Sequence, residues 1–221
     1  MINAEKYIER LTESLKSEFD TRLVYVGLQG SYLRGEATTD SDIDIMVVID
    51  ALTVSDLKRY RNIIEFMGDS DKSCGFICSK EDLANWNPLE ICNLIHGTKD
   101  HYGKLCELVP VYSELDIRNF VKLSVNNLYH EICHRYIHAE TDCSSEKLIY
   151  SYKAVFFILQ NLYFLTNSEF VLTKAELLLL LDGKNFAVLK RAIDLSNGVD
   201  CEYSESFELL FSWCQETLKA I

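Results

Sequence analysis

The chain has 221 residues, enough for one large domain or two small ones, and 48% of them are apolar or aromatic, which excludes a disordered chain. Thirty-four acidic against 22 basic residues leave a net charge of −12, a field that repels polyanions and argues against a nucleic-acid partner. Eight cysteines stand at 74, 78, 92, 106, 133, 143, 201 and 214; scattered through apolar segments, they read as free, buried thiols in a cytoplasmic protein.

From the N-terminus, Asn3 caps a predicted helix whose stripe is Ile8, Leu11, Leu15 and Phe19. It reads as amphipathic and not as a secretion signal. A strand follows over 23–28, a short helix around 31–36 and a second strand over 43–49. Thr53 with Asp56 resembles a capping box for a helix carrying Leu57, Tyr60, Ile64 and Met67 and ending at Gly68. A third strand fits Cys74–Cys78, one helical stretch runs from 81 to 95, and an extended piece covers 99–105. Strands alternating with helices predict an α/β unit with a mixed sheet, an N-terminal domain of 1–110.

Beyond Pro110 the pattern is helical, over 117–139, 146–166, 173–182, 185–195 and 204–220, and predicts an all-α bundle domain of 111–221 packed closely on the first. Thr173 and Glu176 form a capping box before a leucine run that Gly183 closes. The stretch 146–166 is apolar on nearly all sides through Tyr150, Val155, Phe156, Phe157, Ile158, Leu162 and Phe164, which marks the centre of the bundle. No apolar run is expected to reach the roughly 18 residues of a membrane span.

Residues 30–44 carry the most functional information: Gly-Ser-Tyr-Leu-Arg-Gly-Glu-Ala-Thr-Thr-Asp-Ser-Asp-Ile-Asp. A Gly-Ser turn entering a short helix offers backbone N–H groups and a hydroxyl to phosphate. Asp42 and Asp44 stand two apart where the next strand begins, so both carboxylates are expected on one face, a hard anionic pair of the kind Mg²⁺ prefers.

The order Gly30-Ser31, Arg34-Gly35, Ser41-Asp42-Ile43-Asp44 resembles the polymerase-β-type nucleotidyltransferase superfamily, and within it the small aminoglycoside and lincosamide nucleotidyltransferases. The resemblance implies that Gly30 and Ser31 hold the β- and γ-phosphates of ATP or another nucleoside triphosphate. Asp42 and Asp44 would be both the metal ligands, for Mg²⁺ or Mn²⁺, and the catalytic carboxylates. A nucleoside monophosphate, AMP first among the candidates, would pass to a hydroxyl of a small molecule such as an antibiotic. Ser41, Arg34 and Lys153 are candidate nucleotide-binding residues; for Arg34 an exposed helix position, and for Lys153 a helix-edge position, are equally open. Many members place a third carboxylate on the neighbouring strand, but Ser73–Cys78 holds no acid. Glu131 is the candidate base from the helical half, with Glu140 or Glu146 as alternatives. Protein adenylylation, or nucleotide binding without catalysis, are the other outcomes.

A rival motif lies at His130-Glu131-Ile132-Cys133-His134, the His-Glu-x-x-His pattern of zinc metalloproteases on a predicted helix. His138 continues the row. At 100° per residue His130 and His134 fall roughly opposite the stripe Ile117, Val121, Val125, Leu128 and Ile132, so a polar helix face is the simpler reading.

Overall fold

The computed structural model describes residues 2–138 and 145–221. They fall into two compact units, Met1–Tyr112 and Ser113–Ile221. In the first, Asn3 accepts a hydrogen bond from the Lys6 amide at 3.0 Å and starts helix α1 (Ala4–Phe19). Then come strand β1 (Leu23–Leu28), helix α2 (Gly30–Arg34), strand β2 (Ile43–Ile49), helix α3 (Val54–Met67) and strand β3 (Ser73–Ser79). Helices α4 (Lys80–Ala84) and α5 (Pro88–His96) and strand β4 (Lys99–Tyr102) complete the unit.

The sheet is mixed, in the order β3-β2-β1-β4, with β2 antiparallel to β1 and parallel to β3. Side chains alternate along β2, so its two faces feed two cores. Ile43, Ile45, Val47 and Ile49 pack with Ile8, Leu11 and Leu15 of α1 and with Ile64 and Met67 of α3. Met46 and Val48 pack on the other face with Tyr25, Cys78, Leu83 and Leu105. Each of these buried β2 side chains contributes roughly 1.5–3 kcal/mol, which fixes the strand that carries Asp44.

Two sequence expectations need correction in this unit. The single helix over 81–95 is two helices, because Pro88 disfavours helical backbone at the residue before it; Asn87 is extended and caps α5 instead. The extended piece over 99–105 ends at Tyr102, and Leu105–Glu107 forms a 3₁₀ turn.

The Thr53–Asp56 capping box forms, and Asp56 is buried at 3% exposure. Arg22 grips it through two nitrogens at 2.7 and 3.0 Å. These partners, Arg22 first and Thr53 second, hold the Asp56 carboxyl well below the usual carboxylate range. A depressed pKa stabilises the fold above the ordinary carboxylate range and loses that contribution as pH falls. Asp56→Asn should therefore lower Tm at pH 7, with the gap to the parent narrowing in acid; thermal melts across pH 7 to 3 read it directly, and parallel curves would contradict it.

The second unit holds helices α6 (Glu114–His138), α7 (Ser145–Asn167), α8 (Lys174–Leu180), α9 (Gly183–Ser196) and α10 (Tyr203–Ala220). Helix α7 packs against α6, α9 and α10 and buries Tyr152, Val155, Phe156, Ile158 and Leu159. Its apolar surface is not buried all round: Tyr150 is 67% and Phe157 44% exposed. Leu148–Asn167 has mean hydropathy 1.3 and is long and apolar enough, by length and composition, to cross a membrane, which corrects the expectation that no run reaches that length. Half of that segment is buried inside the unit. Gly183 does not close the leucine run; α8 stops at Leu180, and Gly183, at φ +51°, opens α9. The described cysteines are free thiols, but Cys74 and Cys106 are exposed where burial was expected. Cys143 and Glu140, like the Glu146 side chain, lie outside the described residues.

Candidate nucleotide site

The site begins where β1 gives way to α2. The Gln29 amide donates to the Asp44 carbonyl at 2.8 Å, extending the β1–β2 ladder by one residue past the Leu28–Ile45 pair. The next residue, Gly30, turns sharply at φ +68°, and a Cβ built on it would fall 1.9 Å from Asp44 Oδ2. Only glycine lets the backbone turn this way with the Asp44 carboxylate against it. Gln29 makes no side-chain cap to α2; its carboxamide donates to Thr98 Oγ1 at 2.8 Å. The first turn of α2, with Gly30 and Ser31, therefore starts with no side-chain oxygen on its amides.

Asp44 is the second residue of β2 and is half-buried, whereas Asp42 just precedes the strand and is exposed. Asp44 shares the parity of Met46 and Val48. Burial raises its carboxyl above its ordinary value. The neighbouring Asp42 charge adds to that, while a hydrogen bond from Cys74 and the Arg34 guanidinium pull it down. A carboxylate disfavoured by burial and by a like charge suits a cation, so the donor set fits a divalent metal of hard character. Among the described residues no group of three or more His, Cys, Asp or Glu side chains is placed to hold a metal, so such an ion would complete its shell with phosphate and water.

The parallel register pairs Asp44 with Cys74 on β3. That thiol, which sequence reasoning passed over, stands on the neighbouring strand and hydrogen-bonds to Asp44. Partial desolvation of its sulfur, then the Asp44 charge, raises the Cys74 thiol above its ordinary value although the residue as a whole is exposed. Its position could be found only from the register of β2 against β3, which no local pattern announces.

The other candidates are placed as follows. Arg34 Nε donates to Glu36 Oε2 at 2.9 Å, and both side chains are mostly buried, so Arg34 is not the exposed helix residue of the alternative reading. Ser41 Oγ accepts from the Thr38 amide at 2.8 Å and meets Thr38 Oγ1 at 3.2 Å, closing the turn that delivers Asp42. Lys72 ties the same turn through the Thr39 carbonyl.

Two candidates belong to the second unit. Glu131 Oε1 accepts from Ser151 Oγ at 2.8 Å and pairs with Arg135 at 3.0 Å. Lys153 is exposed on α7, its ammonium 4.8 Å from the centre of the Tyr150 ring. His130, His134 and His138 form an exposed row on α6.

Residues 8–81 match the family model of the nucleotidyltransferase domain. A Methanocaldococcus jannaschii protein that carries the name of a protein adenylyltransferase is 45% identical over 49 residues, 22% of this chain and 49% of its own. The chain thus spans about half the length of that relative. The fold as a whole is similar to the spectinomycin adenyltransferase AAD(9) from Enterococcus faecialis, solved with ATP and spectinomycin. The TM-score is 0.61 at 14% identity, over 98% of this chain and 100% of that one. Residues 8–81 thus match a nucleotidyltransferase domain, and the fold resembles that of a spectinomycin adenyltransferase.

Proposed function

We propose that the protein transfers AMP from Mg²⁺-bound ATP to a hydroxyl of a small molecule, with hydroxylated antibiotics as the acceptor class. The observation that carries this reading is the Asp44 carboxylate lying against the Gly30 turn, beside Asp42, within the nucleotidyltransferase domain. In it the first turn of α2, with Gly30 and Ser31, receives the β- and γ-phosphates. Arg34, held by Glu36, adds positive charge near them, and Ser41 is a further nucleotide contact. Asp42 and Asp44 would hold Mg²⁺ or Mn²⁺, which would neutralise charge on the phosphates and on the attacking oxygen. The acceptor oxygen forms a bond to the α-phosphorus, the bond to the bridging oxygen breaks, and pyrophosphate leaves. The hydroxyl proton passes to a general base as that bond forms. A net charge of −12 favours a cationic acceptor over a polyanion, and a cytoplasmic setting would supply ATP and Mg²⁺.

The AAD(9) likeness over the full chain favours a small acceptor. The M. jannaschii similarity supports a second reading, adenylylation of a protein, but it covers only 49 residues. Incubation with each α-labelled triphosphate, Mg²⁺, and a panel of aminocyclitol, aminoglycoside and lincosamide antibiotics separates them. Label moving from ATP onto an antibiotic, and lost in Asp42→Asn/Asp44→Asn, is the expected result. Label on protein selects the second reading. Nucleotide binding with no label transfer to either overturns both and leaves a silent binder.

A further inference from the structure

The histidine row on α6 is left unused by nucleotidyl transfer, and its geometry points to a metal site of its own. The ring centres of His134 and His138 lie 4.7 Å apart, one helical turn from each other, while His130 and His134 are 6.2 Å apart. All three rings are exposed. A first-row metal sits about 2.0–2.1 Å from an imidazole nitrogen, hence roughly 3.1–3.2 Å from the ring centre. Two rings on one ion then have centres about 4.5 Å apart at a right angle and about 5.1 Å apart at a tetrahedral angle. The His134–His138 separation falls between these values. The His130–His134 separation would require the ion to lie nearly in line between the two rings, unlike a tetrahedral zinc site.

The pair the metalloprotease pattern would use is therefore the wrong pair. We propose that His134 and His138 form a two-imidazole chelate for a borderline divalent ion of the Zn²⁺ or Ni²⁺ kind. Water fills the remaining positions, since no third ligand is placed to join among the described residues. Imidazole nitrogen selects such ions over Mg²⁺, so this site and the paired aspartates draw on different metals. Both rings sit in the last two described turns of α6, and an ion bridging them would brace that stretch of helix.

Calorimetric titration of the full chain with Ni²⁺, in excess Mg²⁺ to occupy the carboxylate pair, tests the assignment. The parent should bind one Ni²⁺ and gain Tm. His134→Ala and His138→Ala should each lower affinity by more than about tenfold, with helical circular dichroism unchanged. His130→Ala should bind as the parent does. Undiminished binding by the His134→Ala/His138→Ala double variant, or loss of binding in His130→Ala, overturns it, as does a parent chain that binds no Ni²⁺.

Discussion

Asp44→Asn should abolish nucleotidyl transfer and, at pH 7, make the metal-free protein harder to melt. The two effects share one cause. Asp44 is held half-buried at the edge of a hydrophobic strand, next to the Asp42 charge, and its carboxyl is raised above its ordinary value. A raised carboxyl pKa stabilises the fold only while the proton is held; that contribution fades as pH climbs through the folded-state pKa. At neutral pH the ionised Asp44 is therefore a local cost, one that substrate and metal would relieve. Asparagine keeps the shape and removes the charge, so Tm should rise at pH 7 and the difference should shrink in acid. Activity pays for the change. With half of the paired charge gone, kcat/KM should fall by about 10³-fold or more. The increase in Tm that Mg²⁺ with ATP gives the parent should disappear as well. A variant that still transfers AMP at near-parent rate would remove Asp44 from the metal assignment.

What could be read from the sequence is what short-range chemistry decides. The Asn3 cap, the Thr53–Asp56 box and the alternation through Ile43–Ile49 each depend on residues within a few positions of one another. The Gly30-to-Asp44 stretch is longer, but its two ends are brought together by the pairing of the adjacent strands that flank it. The Asn85–Asn87 break was also legible in principle, because Pro88 marks it. Gly183 misled because a glycine between two helices can end one or open the next, and only packing decides. Cys74 was hidden for a different reason. Its place beside Asp44 follows from a parallel pairing across all of α3, and the same strand shifted by one residue would have offered Ser73 or Gly75 instead. The absence of an acid on that strand could be read directly; the thiol that stands beside Asp44 could not. Tyr150 and Phe157 show the same limit in the helical unit, where composition marks α7 as central but does not say which of its sides meets a neighbour.

Gly30→Ala should cost far more activity than one methyl group suggests, and a second glycine isolates the reason. Gly30 and Gly68 both have positive φ, +68° and +79°, where an alanine is strained by on the order of 1–3 kcal/mol. At Gly68, which ends α3, an added Cβ meets nothing within 4 Å. At Gly30 it would sit 1.9 Å from Asp44 Oδ2 and 2.7 Å from Cγ, so the carboxylate or the turn must move. Either movement separates the turn proposed to receive phosphate from the carboxylate proposed to hold the metal. Displacements of this size in a reacting geometry are worth about 10²-fold in rate. Both variants should therefore lose a few degrees of Tm, while only Gly30→Ala should lose about 10²-fold in kcat/KM and most of its Mg²⁺-dependent ATP affinity. Equal activity in the two variants would mean that the contact between Gly30 and Asp44 is a packing detail, and that the phosphates are held elsewhere.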